Sequence, residues 1–228
     1  MTPSTTRSLP RALAWLVAVL VPVALTLTAV RLLLTPAFLH LEYHMPNFPP
    51  DPYGFTLEDR LRWASLARDY LLNDADVSFL GDLRFGDGSS VYNARELRHL
   101  ADTKQVVRGA LRVWLGTLAA LALLGVWAWR GGWGKEFRRG LWRGGWLTVT
   151  LVGAIVLVAI LSFGPLFVLF HRIFFEGDTW LFNYSDTLIR LFPIRFWRDA
   201  FVLVGGLAVA GGLALGLGAQ ERERGKAT

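Results

Sequence analysis

Uninterrupted apolar stretches divide this chain into segments that are long enough to cross a lipid bilayer. Four such segments run approximately from Ala12 to Leu34, Val113 to Trp129, Gly144 to Phe170, and Ala200 to Ala219. A helix of about 20 apolar residues spans the roughly 30 Å hydrocarbon core of a bilayer. The pattern therefore predicts an all-α integral membrane protein with four transmembrane helices.

The first apolar segment has an alternative interpretation as a removable signal peptide. Its uncharged stretch is long for the apolar region of a signal peptide, and no convincing cleavage site of small residues follows it. We therefore interpret this segment as a retained transmembrane helix.

Composition agrees with a membrane protein and excludes some chemistry. Of the 228 residues, 53% are hydrophobic and ten are tryptophan, which is too apolar for an ordinary water-soluble domain of this size. The chain has no cysteine. That excludes disulfides, a cysteine nucleophile, thiolate metal sites and lipidation of this chain at cysteine.

Charge in the loop between the second and third apolar segments predicts the orientation. Against Glu136 alone, the loop carries the basic residues Arg130, Lys135, Arg138, Arg139 and Arg143. Short cytoplasmic loops are enriched in Lys and Arg, so this loop and both termini are predicted to be cytoplasmic. The net charge of +6 is then explained by basic residues on the cytoplasmic side of the membrane. We expect membrane lipids as partners and no nucleic acid.

This orientation predicts three parts of the chain. Residues 1–34 form the cytoplasmic N-terminus and the first transmembrane helix, and residues 35–112 form a small extracytoplasmic cap. Residues 113–228 form the other three transmembrane helices, with an outer connector at residues 171–199.

Local patterns predict the folding of the cap. Capping residues at Thr56 to Asp59 predict a helix to about Leu72, and Gly86-Asp87-Gly88 predicts a β-hairpin. A second capping pattern at Asn93 to Glu96 predicts a helix that continues into the second transmembrane helix. The entry is predicted to be extended, because it contains Pro36, Pro46, Pro49, Pro50 and Pro52.

The chain's four histidines all fall in the two outer segments, at His40, His44, His99 and His171. Imidazole exchanges protons near neutral pH, so these are candidate acids or bases at a membrane surface. The alternative is that each is an interfacial residue with satisfied hydrogen bonds. His40 and His44 have the spacing of two metal ligands, but prolines crowd them and two histidines do not close a site. We predict no metal and no cofactor.

His99 is expected to share a helix face with Glu96 and Asp102, so that a carboxylate fixes its tautomer and stabilises its charged form. Lys104 follows with Arg108 and Arg112 at steps of one helical turn. This basic stripe is expected at lipid head groups. Contact with a substrate phosphate or oxyanion is the weaker alternative.

His171 follows Gly164-Pro165, a pair that is expected to bend or loosen the third transmembrane helix. Apolar walls are expected from Phe174, Phe175, Trp180, Phe182 and Tyr184. Asp178 and Asp186 are available to orient an imidazole or a cation. The alternative is an aromatic belt with surface charges.

Two stretches of the sequence resemble the signature blocks of a known family. VYNARELRHLADTKQV and FHRIFFEGDTWLFNYSDTLIRLFPIRFW are similar to those of the lipoprotein intramolecular transacylase family of four-span bacterial membrane proteins. FPPDPYGFTLEDRLRWA in the cap extends the resemblance, which covers most of the chain.

This resemblance implies a multi-pass enzyme of the bacterial cytoplasmic membrane, with two catalytic histidines where an outer cap meets the membrane. They match His171, expected to be the base and the more sensitive residue, and His99, expected to stabilise an oxyanion or protonate the leaving oxygen. The implied substrate is a diacylglyceryl lipoprotein, whose sn-2 acyl chain moves to the N-terminal cysteine amine to give lyso-form lipoprotein. The supporting or substrate-binding residues are predicted to be Tyr92, Asn93, Glu96, Asp102, Lys104, Phe174, Phe175, Asp178, Trp180 and Phe182.

Other functions are compatible with the same pattern. The histidine pair could serve another lipid-directed acyl transfer or a hydrolysis, or the cap could bind a partner in a membrane assembly. Transport is disfavoured, because the apolar segments contain almost no ionisable residues. No feature of the sequence indicates an oligomeric state.

Overall fold

The computed structural model describes residues 8–224, with side chains to residue 218. Within this range the chain forms helices and no strand. In chain order these are α1 (Ser8–Leu33), α2 (Pro36–Tyr43), α3 (Leu57–Leu72), α4 (Ser78–Gly81), α5 (Ala94–Arg130), α6 (Gly134–Leu161), α7 (Phe163–Phe174), α8 (Thr187–Leu191) and α9 (Ile194–Arg224). The predicted all-α class is confirmed.

Four helices in the described part of the chain are long and apolar enough to cross a membrane. They are α1, α5, α6 and the part of α9 up to Gly218, with mean hydropathies from 1.7 to 2.4. The predicted four-span layout is therefore confirmed, and the protein is a multi-pass membrane protein.

The third transmembrane segment differs from the prediction, which extended it to Phe170. Helix α6 ends at Leu161, and α7 begins after Ser162, whose φ of −155° and ψ of 71° are not helical. Pro165 lies in the first turn of α7, where amide hydrogens have no partner within the helix, so its missing N–H is tolerated. The predicted bend is thus a break that places His171 on a separate short helix.

The chain divides into two compact units. The first unit comprises most of α1 and α6, α5 from residue 111 onward and α9 from residue 202 onward. The second unit comprises residues 32–110 and 159–201. All the histidines belong to this second unit. Helices α5 and α9 contribute to both units.

In the first unit, α6 and α9 approach each other through paired glycines. A Cβ atom on Gly145 would lie 2.6 Å from the carbonyl oxygen of Gly212, and one on Gly212 would lie 2.7 Å from the carbonyl oxygen of Gly145. Small residues permit such close backbone contact between membrane helices. Neither position has room for a side chain unless the helices separate.

Gly145→Val is expected to lower the thermal unfolding temperature of the detergent-purified protein. The added carbons overlap the backbone of α9, and overpacking of this kind costs about 1–3 kcal/mol. Gly153→Val is the matched control, since it lies on the same helix and its Cβ would meet nothing within 4 Å. Equal unfolding temperatures for the two variants would contradict the close packing.

Both predicted helix starts in the second unit are confirmed. Before α3, Thr56 Oγ1 accepts a hydrogen bond from Asp59 N at 3.1 Å, and Asp59 Oδ2 accepts one from Thr56 N at 2.9 Å. Before α5, Asn93 Oδ1 accepts from Glu96 N at 3.0 Å, and Glu96 Oε2 accepts from Asn93 N at 2.8 Å. These reciprocal bonds satisfy amides that a helix cannot pair internally.

Two local predictions for the cap need correction. The entry is not extended throughout, because α2 begins at Pro36, a first-turn position that proline favours. In place of a β-hairpin, the chain reverses near Gly88, at a φ of +86°, with a single antiparallel bridge between Arg84 and Ser90.

The core of the second unit joins the cap helices to the connector. It contains buried residues of α3, α4, α5 and α8 and of the segment before α5: Trp63, Ala67, Tyr70, Leu80, Val91, Tyr92, Leu100, Leu188 and Leu191. The hydroxyl of Tyr92 donates to the carbonyl oxygen of Trp63 at 3.2 Å. Tyr92, predicted as a supporting site residue, is thus a core residue that ties α3 to the start of α5.

Candidate active site

His99 on α5 and His171 on α7 lie side by side in the second unit. Their ring centroids are 6.1 Å apart, with an angle of 16° between the ring planes. A reacting group a few ångströms across can contact both rings at this spacing. The two histidines that the family resemblance singles out are thus neighbours, and their catalytic roles stay predictions.

Aromatic rings enclose the histidine pair. The ring centroid of His171 lies 4.8 Å from Trp180 and 5.4 Å from Phe175. The ring of His99 lies 4.6 Å from Phe175 and 5.3 Å from Phe182. Phe175 therefore contacts both histidines, and the connector supplies apolar walls as predicted.

Two other aromatic residues of the connector lie away from the pair. The side chain of Phe174 is 47% exposed, and its ring contacts Phe170 at 4.8 Å between centroids. Tyr184 is 83% exposed. Neither ring contacts His99 or His171, so walls from Phe174 and Tyr184 are not seen in the described part of the chain.

The hydrogen bond of His171 determines which of its ring nitrogens carries the proton. Its Nδ1 lies 2.8 Å from the carbonyl oxygen of Phe167, one turn earlier on α7. A carbonyl oxygen only accepts, so Nδ1 is the protonated donor and the neutral ring keeps its lone pair on Nε2. Burial lowers the pKa of His171 below the ordinary histidine value, although the bond to Phe167 acts in the opposite direction. The geometry therefore presents Nε2 as a base.

We expect the ring of His171 to titrate with a midpoint below about 6.5, the ordinary histidine value. Burial disfavours the charged form, so His171 stays neutral as the pH falls through that value. Histidine-labelled protein in detergent, with four histidines to resolve, allows the measurement by NMR, and a His171→Asn variant assigns the signal. A midpoint at or above the ordinary value, or a neutral tautomer protonated at Nε2, would contradict this description.

His99 differs in its hydrogen bonding. Its Nδ1 is buried and has no hydrogen-bond partner among residues 8–224. Because buried donors without a partner are rarer than buried acceptors without one, the favoured neutral tautomer has its proton on Nε2. In this form His99 can donate a hydrogen bond without carrying a charge.

The expectation that a carboxylate on α5 fixes the tautomer of His99 is wrong. Glu96 is 1% exposed, and its carboxylate accepts from the amides of Asn93 and Leu188. Asp102 makes no hydrogen bond or ion pair in the part of the chain that the structure describes. No carboxylate among the described residues therefore stabilises a charged His99.

Hydrogen bonds from the start of α5 instead hold the connector in place. Glu96 Oε1 accepts from Leu188 N at 2.7 Å, and Asn93 Nδ2 donates to Asp186 Oδ1 at 3.2 Å. The hydroxyl of Thr187 donates to the carbonyl oxygen of Val91, and Arg95 donates to that of Leu181 at 3.0 Å. We call these four bonds the clasp. It joins the element that carries His99 to the segment that carries Trp180 and Phe182.

Neither connector aspartate orients a histidine. Asp186 accepts from the amide of Asn183 at 2.8 Å as well as from Asn93. The exposed side chain of Asp178 makes no hydrogen bond or ion pair within residues 8–224. Sequence reasoning missed Phe167 as the partner of His171, although its position one helical turn earlier was a usable signal.

The basic stripe on α5 is also different from the expectation. Lys104 is 6% exposed and donates to Asn73 Oδ1 at 3.2 Å and to the carbonyl oxygen of Ala75. Its Nζ lies 3.9 Å from the ring centroid of Tyr70. Arg108 donates to the carbonyl oxygen of Asn73 at 2.8 Å. These two cations therefore bind the chain that follows α3, a contact that the spacing on α5 did not predict.

His40 and His44 form a separate pair at the end of α2. Their ring centroids lie 6.1 Å apart, and His44 Nδ1 lies 2.7 Å from the carbonyl oxygen of His40. Among residues 8–224, no group of three or more His, Asp or Glu side chains is arranged to hold a metal ion. The metal-free site stays a prediction.

Comparison with known proteins identifies similar chains. Residues 13–197 match the sequence model of the family described as lipoprotein intramolecular transacylase Lit. An uncharacterized protein of Aquifex aeolicus (strain VF5) is 28% identical over 183 residues, which are 80% of this chain and 82% of that protein.

Solved structures of the membrane integral lipoprotein intramolecular transacylase Lit from Bacillus cereus have the same fold. One in meso structure has a TM-score of 0.61 at 20% identity, over 93% of this chain and 98% of that chain. A variant in which a histidine is replaced by alanine has a TM-score of 0.74 at 18% identity, over 97% of each chain.

Proposed function

The chain belongs to the lipoprotein intramolecular transacylase family and is a membrane acyltransferase, and we propose that His171 and His99 perform the transfer. The substrate is a diacylglyceryl lipoprotein with a free N-terminal cysteine amine. Its sn-2 acyl chain passes from glycerol to that amine and leaves lyso-form lipoprotein. The observation that carries this proposal is the parallel arrangement of the two imidazoles inside an aromatic enclosure.

The two histidines divide the tasks of proton transfer and oxyanion stabilisation in an ester-to-amide exchange. The amine nitrogen attacks the ester carbonyl carbon while Nε2 of His171 takes the proton that the amine loses. His99 donates a hydrogen bond from Nε2 to the tetrahedral oxyanion. The C–N bond forms, the C–O bond breaks, and the imidazolium of His171 returns its proton to the departing glycerol oxygen, so that both imidazoles end neutral without a cofactor.

The surroundings of the pair favour transfer to the amine over hydrolysis. Phe175, Trp180 and Phe182 supply apolar surface against which acyl chains can pack and which limits the access of water. Holding amine and ester of one molecule at the same site raises their effective concentration far above that of two separate reactants. A neutral His171 keeps its lone pair available at neutral pH.

The charge distribution supports an orientation with the cap outside the bacterial cytoplasmic membrane and both termini in the cytoplasm. The basic loop between α5 and α6 supports a cytoplasmic position for that loop. The second unit then faces the side on which lipoproteins are displayed. Lipoprotein substrate and membrane lipids are the proposed partners.

Fragmentation mass spectrometry of a resident lipoprotein tests the function. The chain is expressed in a bacterium whose lipoproteins stay diacylglyceryl-modified, and the N-terminal lipopeptide is isolated. Intramolecular transfer leaves the intact mass unchanged, so the expected result is a fragment that carries one acyl chain on the cysteine nitrogen and a monoacylglyceryl group on sulfur.

The same spectra separate the alternatives. A hydrolase would lower the intact mass by one acyl chain, and an assembly protein would leave both the mass and the fragments unchanged. Either result would overturn the proposed transfer. Expression of the His171→Ala variant at the same membrane level is the matched control.

A further inference from the structure

A pocket in the second unit shares no residue with the histidine pair and its aromatic enclosure. Its volume is about 160 Å³. The walls are largely apolar and include Pro49, Pro50, Pro52, Ile189 and Pro193. Two arginines, Arg60 on α3 and Arg190 on α8, also line it.

Arg60 is a buried cation that forms no ion pair with any described residue. It is 7% exposed. Its Nη1 donates to the carbonyl oxygen of Pro49 at 2.7 Å, and its guanidinium carbon lies 5.2 Å from the ring centroid of Phe48. Its Nε is buried and makes no hydrogen bond to any described residue. A buried guanidinium is usually paired with a carboxylate or a phosphate.

Asp51, the carboxylate that lines the same pocket, is committed to Arg190. Its Oδ2 accepts from Arg190 Nη2 at 2.9 Å and from the amide of Phe55 at 2.7 Å. The side chain of Asp51 is fully buried. Arg190 therefore balances the charge of Asp51, and the pocket keeps the positive charge of Arg60.

One wall of the pocket lies at the start of a transmembrane helix. Pro193 directly precedes α9, and the candidate membrane span begins at Ile194. Ile194 and Trp197 are 57% and 37% exposed, as expected for apolar and aromatic side chains where a helix enters the bilayer. This is the level at which phospholipid phosphates lie.

From these observations we propose that the pocket binds the phosphate of a phospholipid head group, with Arg60 as the donor. A guanidinium offers paired N–H groups that match the oxygens of a phosphate, and the charge of the pocket is complementary. The apolar walls suit the carbon atoms that flank a phosphodiester. The diacylglyceryl group of the proposed substrate carries no phosphate, so this site is independent of acyl transfer.

Native mass spectrometry of the full chain in detergent, titrated with short-chain phosphatidylglycerol, tests the proposal. Arg60→Gln is expected to weaken lipid binding at least about tenfold, as the loss of a charge-assisted hydrogen bond implies. Ile189→Trp fills the pocket, leaves Arg60 and its bond to Pro49 in place, and is expected to weaken binding as strongly. Arg62→Gln, on the exposed face of the same helix, is expected to bind as the unmodified chain does.

Two further ligands distinguish the source of the phosphate. Short-chain diacylglycerol lacks a phosphate. Any binding of it is expected to be the same in the unmodified chain and in the Arg60→Gln variant. Inorganic phosphate is expected to compete with the lipid. Unchanged lipid binding by the Ile189→Trp chain would overturn the proposal, as would binding of inorganic phosphate without binding of the lipid.

Discussion

Replacing His171 with alanine is expected to lower the rate of conversion of diacylglyceryl to lyso-form lipoprotein by about 10²- to 10⁴-fold, the usual cost of losing a general base. The reason is structural: Nδ1 of His171 is committed to the carbonyl oxygen of Phe167, which leaves Nε2 as the free base beside His99. The measurement is fragmentation mass spectrometry of the N-terminal lipopeptide over time, at matched membrane levels of each variant.

Three companion variants separate the base from the fold around it. His171→Asn can still donate to Phe167 but has no basic nitrogen, so it is expected to lose as much activity as His171→Ala. His99→Ala is expected to lose less, about 10²-fold, because it removes one donor to the oxyanion. The exposed His44 is expected to tolerate alanine. Conversion at the unmodified rate by His171→Ala would show that the connector does not carry the base.

Replacing Glu96 with alanine is expected to lower the free energy of unfolding by about 2–4 kcal/mol, because two amides lose their acceptor at once. The carboxylate is 1% exposed and accepts from Leu188 N at 2.7 Å and from Asn93 N at 2.8 Å. Unfolding in detergent, followed by circular dichroism, measures the loss.

Asp102→Ala is the matched control for Glu96→Ala. It removes a carboxylate from the same helix, but one that makes no hydrogen bond within residues 8–224, so its effect is expected to stay within about 0.5 kcal/mol. Hydrogen exchange at the amide of Leu188 gives a local measurement and is expected to accelerate in the Glu96 variant alone. Equal loss of stability in the two variants would contradict the role of the clasp.

The elements that follow from short-range chemistry were predictable from the sequence. Capping patterns at Thr56 and Asn93 identified the starts of α3 and α5, because the bonds that begin a helix involve residues three apart. Long apolar runs identified the transmembrane helices, because the length and apolarity of a segment can be read from consecutive residues alone. Pro36 was ambiguous, since proline both starts helices and interrupts them, and only the first of these effects operates in α2.

The sequence predicted which residues form the candidate site better than it predicted the hydrogen bonds that these residues make. Spacing on α5 placed Glu96 on the face of His99, but one oxygen of its carboxylate accepts from the amide of Asn93 and the other from the amide of Leu188. Lys104 was assigned to the surface because the pattern of one helix does not reveal that the chain after α3 packs against it. Interactions between elements distant in sequence decided both cases.

The helices that carry His99 and His171 connect differently to the transmembrane helices. His99 lies on α5, which runs without interruption from the second unit into a transmembrane helix. His171 lies on α7, which the break at Ser162 separates from α6. The chain from α6 to His171 therefore passes through one non-helical residue, whereas His99 and the transmembrane part of α5 belong to one continuous helix.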